Sequence, residues 1–196
     1  LLAAEELDHY VDFLRPALAS IGYDSFWVAK PRSPCLDFGY YSDGTAIFWR
    51  KAAFTSVTSC VEGHYHKADG SETNQVYAYC DLRHLGTGEV VRFVATHLKA
   101  GITSKDEAVR SMQVPQLLTA IAAESPRHVI ICGDFNSTPS NTWTFTAQCV
   151  PAVLADKRLQ LFSSYPLDTE YTLFARKWGC DMKFMLDYIF HTGSLK

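Results

Sequence analysis

The chain has 196 residues, of which 47% are hydrophobic and 20% are charged, and this is the composition of one ordinary globular domain. The net charge of -3 argues against a protein that holds polyanions on a broad basic surface, so any phosphate recognition should be local. No apolar stretch approaches the ~20 residues of a membrane helix, so we expect a soluble domain with no membrane insertion.

The first half of the sequence predicts one helix followed by several strands. From Glu5 onward, apolar residues recur at helical spacing up to Ile21, with Pro16 as an interruption. The prolines of "AKPRSPC" indicate a loop over 30–42. Gly86 and Gly88 are typical of a hairpin turn. The strands expected in this half are 45–50, 57–66, 75–83 and 89–98.

The second half contains an amphipathic helical pattern over 105–124, with a kink expected at Pro115. Apolar runs predict strands at 128–132 and at 184–190. Strands that arrive in neighbouring pairs, with few helices between them, favour antiparallel or mixed sheets flanked by helices over an alternating βαβ fold.

The six cysteines form no CxxC pair and have no zinc-site spacing. Several of them lie in apolar, strand-like runs, so buried free thiols are favoured over disulfides. A reducing compartment would agree with this interpretation. The cysteines are Cys35, Cys60, Cys80, Cys132, Cys149 and Cys180.

Several polar residues lie where an apolar strand should end. In "MLDYIF" the acid is flanked by apolar residues, and its burial would be costly unless it were paired or bound to a cation. Three carboxylates in such positions favour a metal site, and oxygen ligands suit Mg²⁺ or Mn²⁺. The candidate residues are Glu6, His97, Asp134, Asn136 and Asp187.

Each candidate also has a purely structural interpretation. Asp134 after a strand is typical of a turn or a helix cap, Glu6 of a solvated first-turn residue, and His97 of a hydrogen-bonded core histidine. Asp187 is the hardest to interpret in this way. The joint occurrence of "GDFNSTP" and "LDYIF" favours a functional site.

The ordered motifs "AEELDHY", "THLKA", "GDFN" and "LDYIF" resemble the exonuclease-endonuclease-phosphatase superfamily of Mg²⁺-dependent phosphoesterases. Within it, the chain is similar to the nocturnin and poly(A) deadenylase branch. Further matches are "LDHYVDFLRPAL", "GYDSFWVAKPRSPCLDFG", "DGTAIF", "ETNQV" and "YTLFARKWG", so the resemblance extends from residue 6 to about 190.

This resemblance implies an α/β fold, a four-layer sandwich of two mixed, mostly antiparallel sheets flanked by helices, with the active site on one rim. It assigns Glu6 as the Mg²⁺ ligand, with Mn²⁺ as the alternative ion. Asp134 and Asn136 would orient the attacking water and the phosphate. Asp187 would orient a general-base histidine, and His97 would contact the phosphate as its charge develops.

The resemblance also implies a nucleotide substrate. The preferred interpretation is a phosphatase that removes the 2'-phosphate of NADP(H), and the alternative is a 3'-5' poly(A) exoribonuclease. Phe174 offers a ring to a nucleobase, whereas Gly101 replaces an arginine of the family and so loses a phosphate contact. Each candidate cation is otherwise typical of a solvated surface. These cations are Lys30, Lys99 and Arg176 or Lys177.

Two family strands have no counterpart in the sequence: the first, which carries an asparagine, and the last, which carries a Ser-Asp-His motif. We therefore expect residues 1–196 to form one domain that is incomplete at both ends and inactive on its own. Either the chain is a piece of a complete enzyme, or it is an inactive structural or assembly subunit whose open sheet edges a partner chain covers. The cytosol and the mitochondrion both remain open as compartments.

Overall fold

The computed structural model describes residues 1–142, 144–167, 171–177 and 180–193, with side chains outside 175–180. The strands are β1 Leu2–Ala4, β2 Tyr23–Ala29, β3 Gly44–Arg50, β4 Phe54–Ser56, β5 Val61–His66, β6 Glu72–His84, β7 Val90–His97, β8 Val129–Asp134, β9 Leu161–Ser163, β10 Leu173–Lys177, β11 Cys180–Phe184 and β12 Asp187–Thr192. The helices are α1 Arg15–Ser20, α2 Ser104–Ala122 and α3 Cys149–Leu154, with a π-helical turn at Tyr10–Leu14 and a 3₁₀ turn at Pro34–Phe38.

The strands form two sheets and a hairpin. The larger sheet has seven strands in the order β4-β6-β7-β8-β12-β9, with β5 also paired to β6. The smaller sheet has the order β1-β3-β2, and β10 and β11 form a separate two-stranded hairpin. Among the described strands, only β7 and β8 pair in parallel. Helix α2 connects these two strands. The expectation of mixed, mostly antiparallel sheets is therefore confirmed.

The two sheets enclose an apolar core, because alternate residues of facing strands point into the same space. Ile47 and Trp49 of β3 contact a cluster that includes Leu82 and Phe93 of the larger sheet. Burial of each such side chain stabilises the fold by about 1.5–3 kcal/mol.

Helices cover the outer face of each sheet. Leu117 and Ile121 of α2 pack on Ile131 of β8 in a second core cluster, which also takes in α3. On the smaller sheet, the ring of Tyr10 stacks on Trp27 at 4.9 Å between centroids. The order helix, sheet, sheet, helix is the expected four-layer sandwich.

Several predicted elements have different bounds in the structure. The strand expected at 57–66 is β5, which begins only at Val61. The first helical segment begins at Tyr10 instead of Glu5, because residues 2–4 pair with β3 as a strand. The predicted strand 184–190 is interrupted at Met185 and Leu186, so that β11 ends before this break and β12 starts after it. Helix α2 agrees with its prediction, and Thr103 and Asp106 form a capping box at its start.

The prediction of free cysteines is wrong for one pair. Cys60, which directly precedes β5, and Cys80 of β6 form a disulfide, with Cα atoms 4.4 Å apart. The pattern of the sequence did not give the strand register that brings them together. Cys35, Cys132 and Cys149 are free, and the side chain of Cys180 lies outside the described residues. In the described part of the chain, no helix is long and apolar enough to span a membrane.

Candidate active site

Three of the predicted site residues lie side by side at one rim of the larger sheet, where β7 and β8 end and β12 begins. His97 ends β7 and is paired in register with Asp134, which ends β8. Asp134 is in turn directly opposite Asp187, which begins β12. Because β8 lies between the other two strands, residues that are far apart in the sequence become neighbours.

Gly133 allows β8 to lie close to β7 at this rim. A Cβ atom at position 133 would lie 2.0 Å from the carbonyl oxygen of Thr96, so no larger residue fits without moving β7. The absence of a side chain therefore lets the two strands approach closely at the point where Asp134 and His97 emerge.

The chain turns sharply after Asp134, and the turn orients Asn136. The backbone N–H of Asn136 donates to Asp134 Oδ1 at 2.7 Å, and its side-chain Nδ2 donates to the carbonyl of Leu98 at 3.2 Å. Asn136 has φ of 50°, a left-handed conformation that asparagine tolerates better than most residues. Phe135 between them is fully buried and anchors the turn in the core.

Two glutamates follow β1 of the smaller sheet and lie at the same rim. Glu5 is partly buried and lines a cavity with Gly133 and Asp187. Its Oε1 atom is buried without a hydrogen-bond partner. The predicted ligand Glu6 has φ of 56°, and its side chain is 72% exposed. Its Oε1 lies 4.0 Å from His97 Nδ1.

The carboxylates repel one another. Burial, with further contributions from Asp187 and Asp134, raises the pKa of Glu5 to about 7. Burial also raises the pKa of Asp134 to about 6, although the N–H of Asn136 stabilises its charged form and opposes the rise. A bound proton or a bound cation would relieve this repulsion.

Asp187 differs from the expectation that it would be buried. It is exposed, because it is the first residue of β12 at the rim and not part of a longer strand. The hydroxyl of Thr172 accepts hydrogen bonds from the backbone amides of Leu186 and Asp187 at 2.9 and 3.0 Å, and this contact fixes the start of the strand.

His97 and Lys30 form the other side of the site. Burial, together with the nearby positive charge of Lys30, lowers the pKa of His97, so its imidazole is neutral at neutral pH. His97 Nδ1 is buried without a hydrogen-bond partner, and Nε2 lies 3.8 Å from Asp134 Oδ2. Lys30 follows β2 and forms an ion pair with Asp43.

The remaining predicted substrate contacts are not at this cluster. Lys99 Nζ donates to the carbonyl of Ala100 at 2.7 Å, lies 3.5 Å from Asp106 and lines a different cavity. Phe174 is 53% exposed, and the ammonium group of Lys183 lies 6.0 Å from its ring centroid. The side chains of Arg176 and Lys177 lie outside the described residues.

A mostly apolar cavity of about 340 Å³ opens beside Asn136. Its wall includes Phe145 and, from the β10–β11 hairpin, Leu173 and Phe184, which are paired in register. Phe174 is on the opposite face of this hairpin, because side chains alternate along a strand. The sequence did not predict these residues, nor Glu5 and Asp43. For Glu5, the only indication in the sequence was its position next to Glu6 in "AEEL".

The donor set suits a hard divalent cation. Within the described residues, no group of three His, Cys, Asp or Glu side chains is arranged to hold a metal ion as it stands. Nevertheless, Glu5, Glu6, Asp134 and Asp187 supply carboxylate oxygens at one rim, and Asn136 supplies an amide. The unpartnered Glu5 Oε1 is the kind of atom that a cation satisfies.

Comparison with known proteins identifies the family of this chain. The model of the Endonuclease/Exonuclease/phosphatase family matches residues 2–196. The chain belongs to this family. It is 33% identical over 204 residues to Nocturnin of Xenopus laevis, covering 98% of this chain and 50% of that protein. It is 31% identical to Nocturnin of Homo sapiens, covering 98% and 45%. The chain thus spans about half the length of these relatives.

Solved structures of similar proteins have the same fold. The human Nocturnin catalytic domain with bound sulfate anion superposes with a TM-score of 0.78 at 28% identity, covering 98% of this chain and 68% of that one. ANGEL2, a 2',3'-cyclic phosphatase in complex with adenosine-2',3'-vanadate, superposes with a TM-score of 0.69 at 18% identity, covering 98% and 70%. The second likeness concerns the fold alone.

Proposed function

We propose that this protein is a nocturnin-type phosphoesterase that uses a divalent cation, Mg²⁺ or Mn²⁺, to hydrolyse the 2'-phosphate of NADP(H). One observation carries the proposal: in a member of this family, mutually repelling carboxylates meet a neutral histidine and a lysine at one rim. Acidic oxygens suit a cation, and the adjacent basic and hydrogen-bonding groups suit a phosphate.

Glu6 would hold the cation, with Asp134, Asn136 and Asp187 beside it. Glu6 suits this role because its side chain is exposed and close to His97. A bound cation would neutralise charge on the phosphate oxygens and would lower the pKa of a coordinated water. Glu5 would contribute negative charge from the adjacent cavity.

The protein groups would orient the phosphate and the attacking water. Asp134 is suited to accept a hydrogen bond from the water, because its carboxylate is already fixed by the N–H of Asn136. Neutral His97 would donate a hydrogen bond to a phosphate oxygen. Lys30, whose charge Asp43 offsets in part, would add positive charge where negative charge develops.

A dinucleotide fits the surroundings better than a long RNA. The chain has a net charge of -3, and a broad basic surface for RNA is not expected. The apolar cavity of about 340 Å³ beside Asn136 is in the size range for a small-molecule ring. The structure of the human Nocturnin catalytic domain holds a sulfate anion, which resembles phosphate in shape and charge and supports phosphate binding for either substrate.

A specific feature favours poly(A) as the second candidate substrate. Tyr171 and Phe174 are both exposed, and their ring centroids are 6.4 Å apart. Lys183 Nζ lies 4.8 Å from the centroid of the Tyr171 ring. Exposed rings next to a cation are typical of surfaces on which single-stranded bases stack.

The test uses the full-length protein with Mg²⁺, and it measures phosphate release from NADP and NADPH and the shortening of an oligo(A) RNA. We expect phosphate release that Asp134→Asn lowers by about 10²–10⁴-fold. The control is Asp24→Asn, which alters an exposed acid on β2 far from Lys30.

Shortening of oligo(A) without phosphate release from NADP(H) would replace the phosphatase proposal with the deadenylase. If neither substrate reacts and Asp134→Ala leaves the cellular role intact, the protein is a structural subunit.

A further inference from the structure

A second cavity, of about 580 Å³, carries positive charge that the proposed chemistry does not use. It lies between the segment after β2, the β5–β6 turn and helix α2. Arg32, Lys67 and Lys99 line it together with Asn74, and Val109 and Met112 of α2 form its apolar side. We call this cavity, defined by these six residues, the basic groove.

The basic groove adjoins the candidate active site through two short segments of chain. Lys30 of the site and Arg32 of the groove are separated only by Pro31, and His97 and Lys99 only by Leu98. Because two residues of chain span at most ~7 Å, the groove begins next to Lys30 and His97.

Hydrogen bonds fix both segments to the groove wall. The N–H of Arg32 donates to Asn74 Oδ1 at 2.8 Å, and its guanidinium donates to the carbonyl of Glu72 at 3.2 Å. The N–H of Lys99 donates to Oε1 of the fully buried Gln113 at 3.0 Å. The cations are thus attached to a preformed wall, which reduces the entropy cost of binding.

The charges of the groove favour an anion. The guanidinium contact of Arg32 is to a neutral carbonyl, so it leaves the positive charge of Arg32 uncompensated. Asp69 also lines the groove, and its carboxylate, which accepts hydrogen bonds from the N–H and the hydroxyl of Ser71 at 2.9 and 2.6 Å, offsets part of the charge of Lys67. Asp106 offsets part of the charge of Lys99. Arg32 is therefore the principal anion-binding group, and Lys67 and Lys99 add positive charge that the nearby acids offset only in part.

We propose that the basic groove is a second anion subsite, which binds the pyrophosphate of a dinucleotide whose 2'-phosphate lies at the carboxylate cluster. The proposal rests on the proposed function for the position of the scissile phosphate. Arg32 suits bidentate contact with a phosphate, and Lys67 acts as a mobile point charge. Val109 and Met112 would pack against the apolar parts of the same ligand.

The first experiment measures binding without catalysis. Inorganic pyrophosphate is titrated calorimetrically into the full-length protein in a chelating buffer, where the metal-free carboxylates repel anions. We expect the double variant Arg32→Gln/Lys67→Gln to bind pyrophosphate at least about ten-fold more weakly. The control variant Lys51→Gln/Lys157→Gln removes the same charge from two exposed lysines outside the groove. Equal pyrophosphate affinity in the groove variant and the wild type would overturn the proposal.

The second experiment compares NADP with adenosine 2'-monophosphate, which has the scissile phosphate but no pyrophosphate. We expect the groove variant to raise KM for NADP about ten-fold with kcat unchanged, and to leave both constants unchanged for adenosine 2'-monophosphate. Equal increases in KM for both substrates would overturn the proposal. An effect confined to oligo(A) would also overturn it, since the groove would then bind RNA.

The two experiments separate this inference from the proposed function. Pyrophosphate binding that depends on Arg32 and Lys67, in a wild type that hydrolyses neither substrate, would support the groove and refute the 2'-phosphatase. Hydrolysis of both substrates with kinetics that the groove variant does not change would refute the groove and support the phosphatase.

Discussion

Glu5 and Glu6 are adjacent in the sequence but have different surroundings. Glu5 points into a cavity with Asp187, whereas the exposed side chain of Glu6 approaches His97. Because the backbone at Glu6 is left-handed, the two side chains point in different directions. Such a conformation in a residue other than glycine is often found at functional sites. The two residues are therefore expected to affect a cation differently.

We predict that Glu6→Gln weakens Mg²⁺ binding by at least about ten-fold, because it removes a direct ligand and keeps the side-chain shape. Glu5→Gln should weaken binding less, because it removes only a nearby charge. Calorimetric titration of each variant with Mg²⁺ measures the difference. A larger loss of affinity in Glu5→Gln than in Glu6→Gln would identify Glu5 as the ligand.

The raised pKa of Glu5 predicts a pH-dependent stability in a chelating buffer. Between its ordinary pKa of 4.5 and its folded pKa of about 7, the folded protein retains a proton that the unfolded chain releases. The free energy of unfolding should therefore fall as the pH rises through this window. Near pH 8, Glu5→Gln should be more stable than the wild type by on the order of 2–3 kcal/mol.

Urea denaturation in the presence of chelator at several pH values measures this effect. Glu62→Gln, which changes an exposed glutamate of β5, is the matched control and should follow the wild type. Parallel pH profiles for Glu5→Gln and the wild type would contradict the prediction. Added Mg²⁺ should flatten the wild-type profile, because cation binding competes with the proton.

At the residue scale, the sequence predicted the contacts that strand ends produce. His97, Asp134 and Asp187 follow or precede apolar runs, and the sheet brings them together. The sequence did not indicate the direction of Lys99, because that depends on the turn after β7 and on Asp106. It also did not reveal Glu5, since nothing in a pair of adjacent acids identifies the one that faces the cavity.

At the scale of elements, helix α2 connects the loops around the site through the buried ion pair of Glu107 and Arg110. Glu107 Oε1 accepts hydrogen bonds from Ser137 Oγ and the N–H groups of Gln148 and Cys149 at 2.8–3.0 Å. Arg110 is fully buried and donates to the carbonyls of Lys99 and Gly101 at 2.7 and 2.9 Å. One turn of the helix thus holds the segments that follow β7 and β8.

We predict that Arg110→Met lowers the free energy of unfolding by about 3–5 kcal/mol, because it leaves Glu107 buried without its cationic partner. Arg83→Met, at an exposed position on β6, should cost less than about 1 kcal/mol. Urea denaturation of both variants measures the effect. A loss in Arg110→Met as small as that in Arg83→Met would show that the ion pair does not hold the loops.

The sequence predicted the elements with long apolar patterns and missed the shorter or less regular ones. Strand β3, strand β7 and helix α2 agree with their predictions within a few residues. β1 was missed because its pairing with β3 is a tertiary contact that local periodicity does not reveal. The interruption at Met185 and Leu186 was missed because the apolar run continues through it.

At the scale of the whole molecule, the disulfide stabilises the fold by restricting the unfolded chain. Cys60 and Cys80 are separated by 20 residues, and a loop of this length corresponds to about 3 kcal/mol of stabilisation. We predict that a reducing agent lowers the melting temperature of the wild type and leaves that of Cys60→Ala/Cys80→Ala unchanged. Equal melting of the wild type with and without reductant, after mass spectrometry has established the bond, would contradict this prediction.

The four-layer architecture was predicted through resemblance of the motifs, and local patterns alone predicted only sheets flanked by helices. Periodicity identifies which side chains are buried, but it does not specify which strand lies beside which. The parallel pairing of β7 with β8 and the position of β12 between β8 and β9 are set by tertiary packing.

The position of β12 has a consequence for the order of events during folding. This strand is the last in the described chain, yet it lies inside the larger sheet, between β8 and β9. Asp187 therefore joins Asp134 only after the chain has been synthesised as far as β12 and the pairing of distant segments, which is slow, has occurred. A nascent chain would carry His97 and Asp134 in a partly formed sheet, and the acquisition of cation affinity would mark the pairing of β12 with β8.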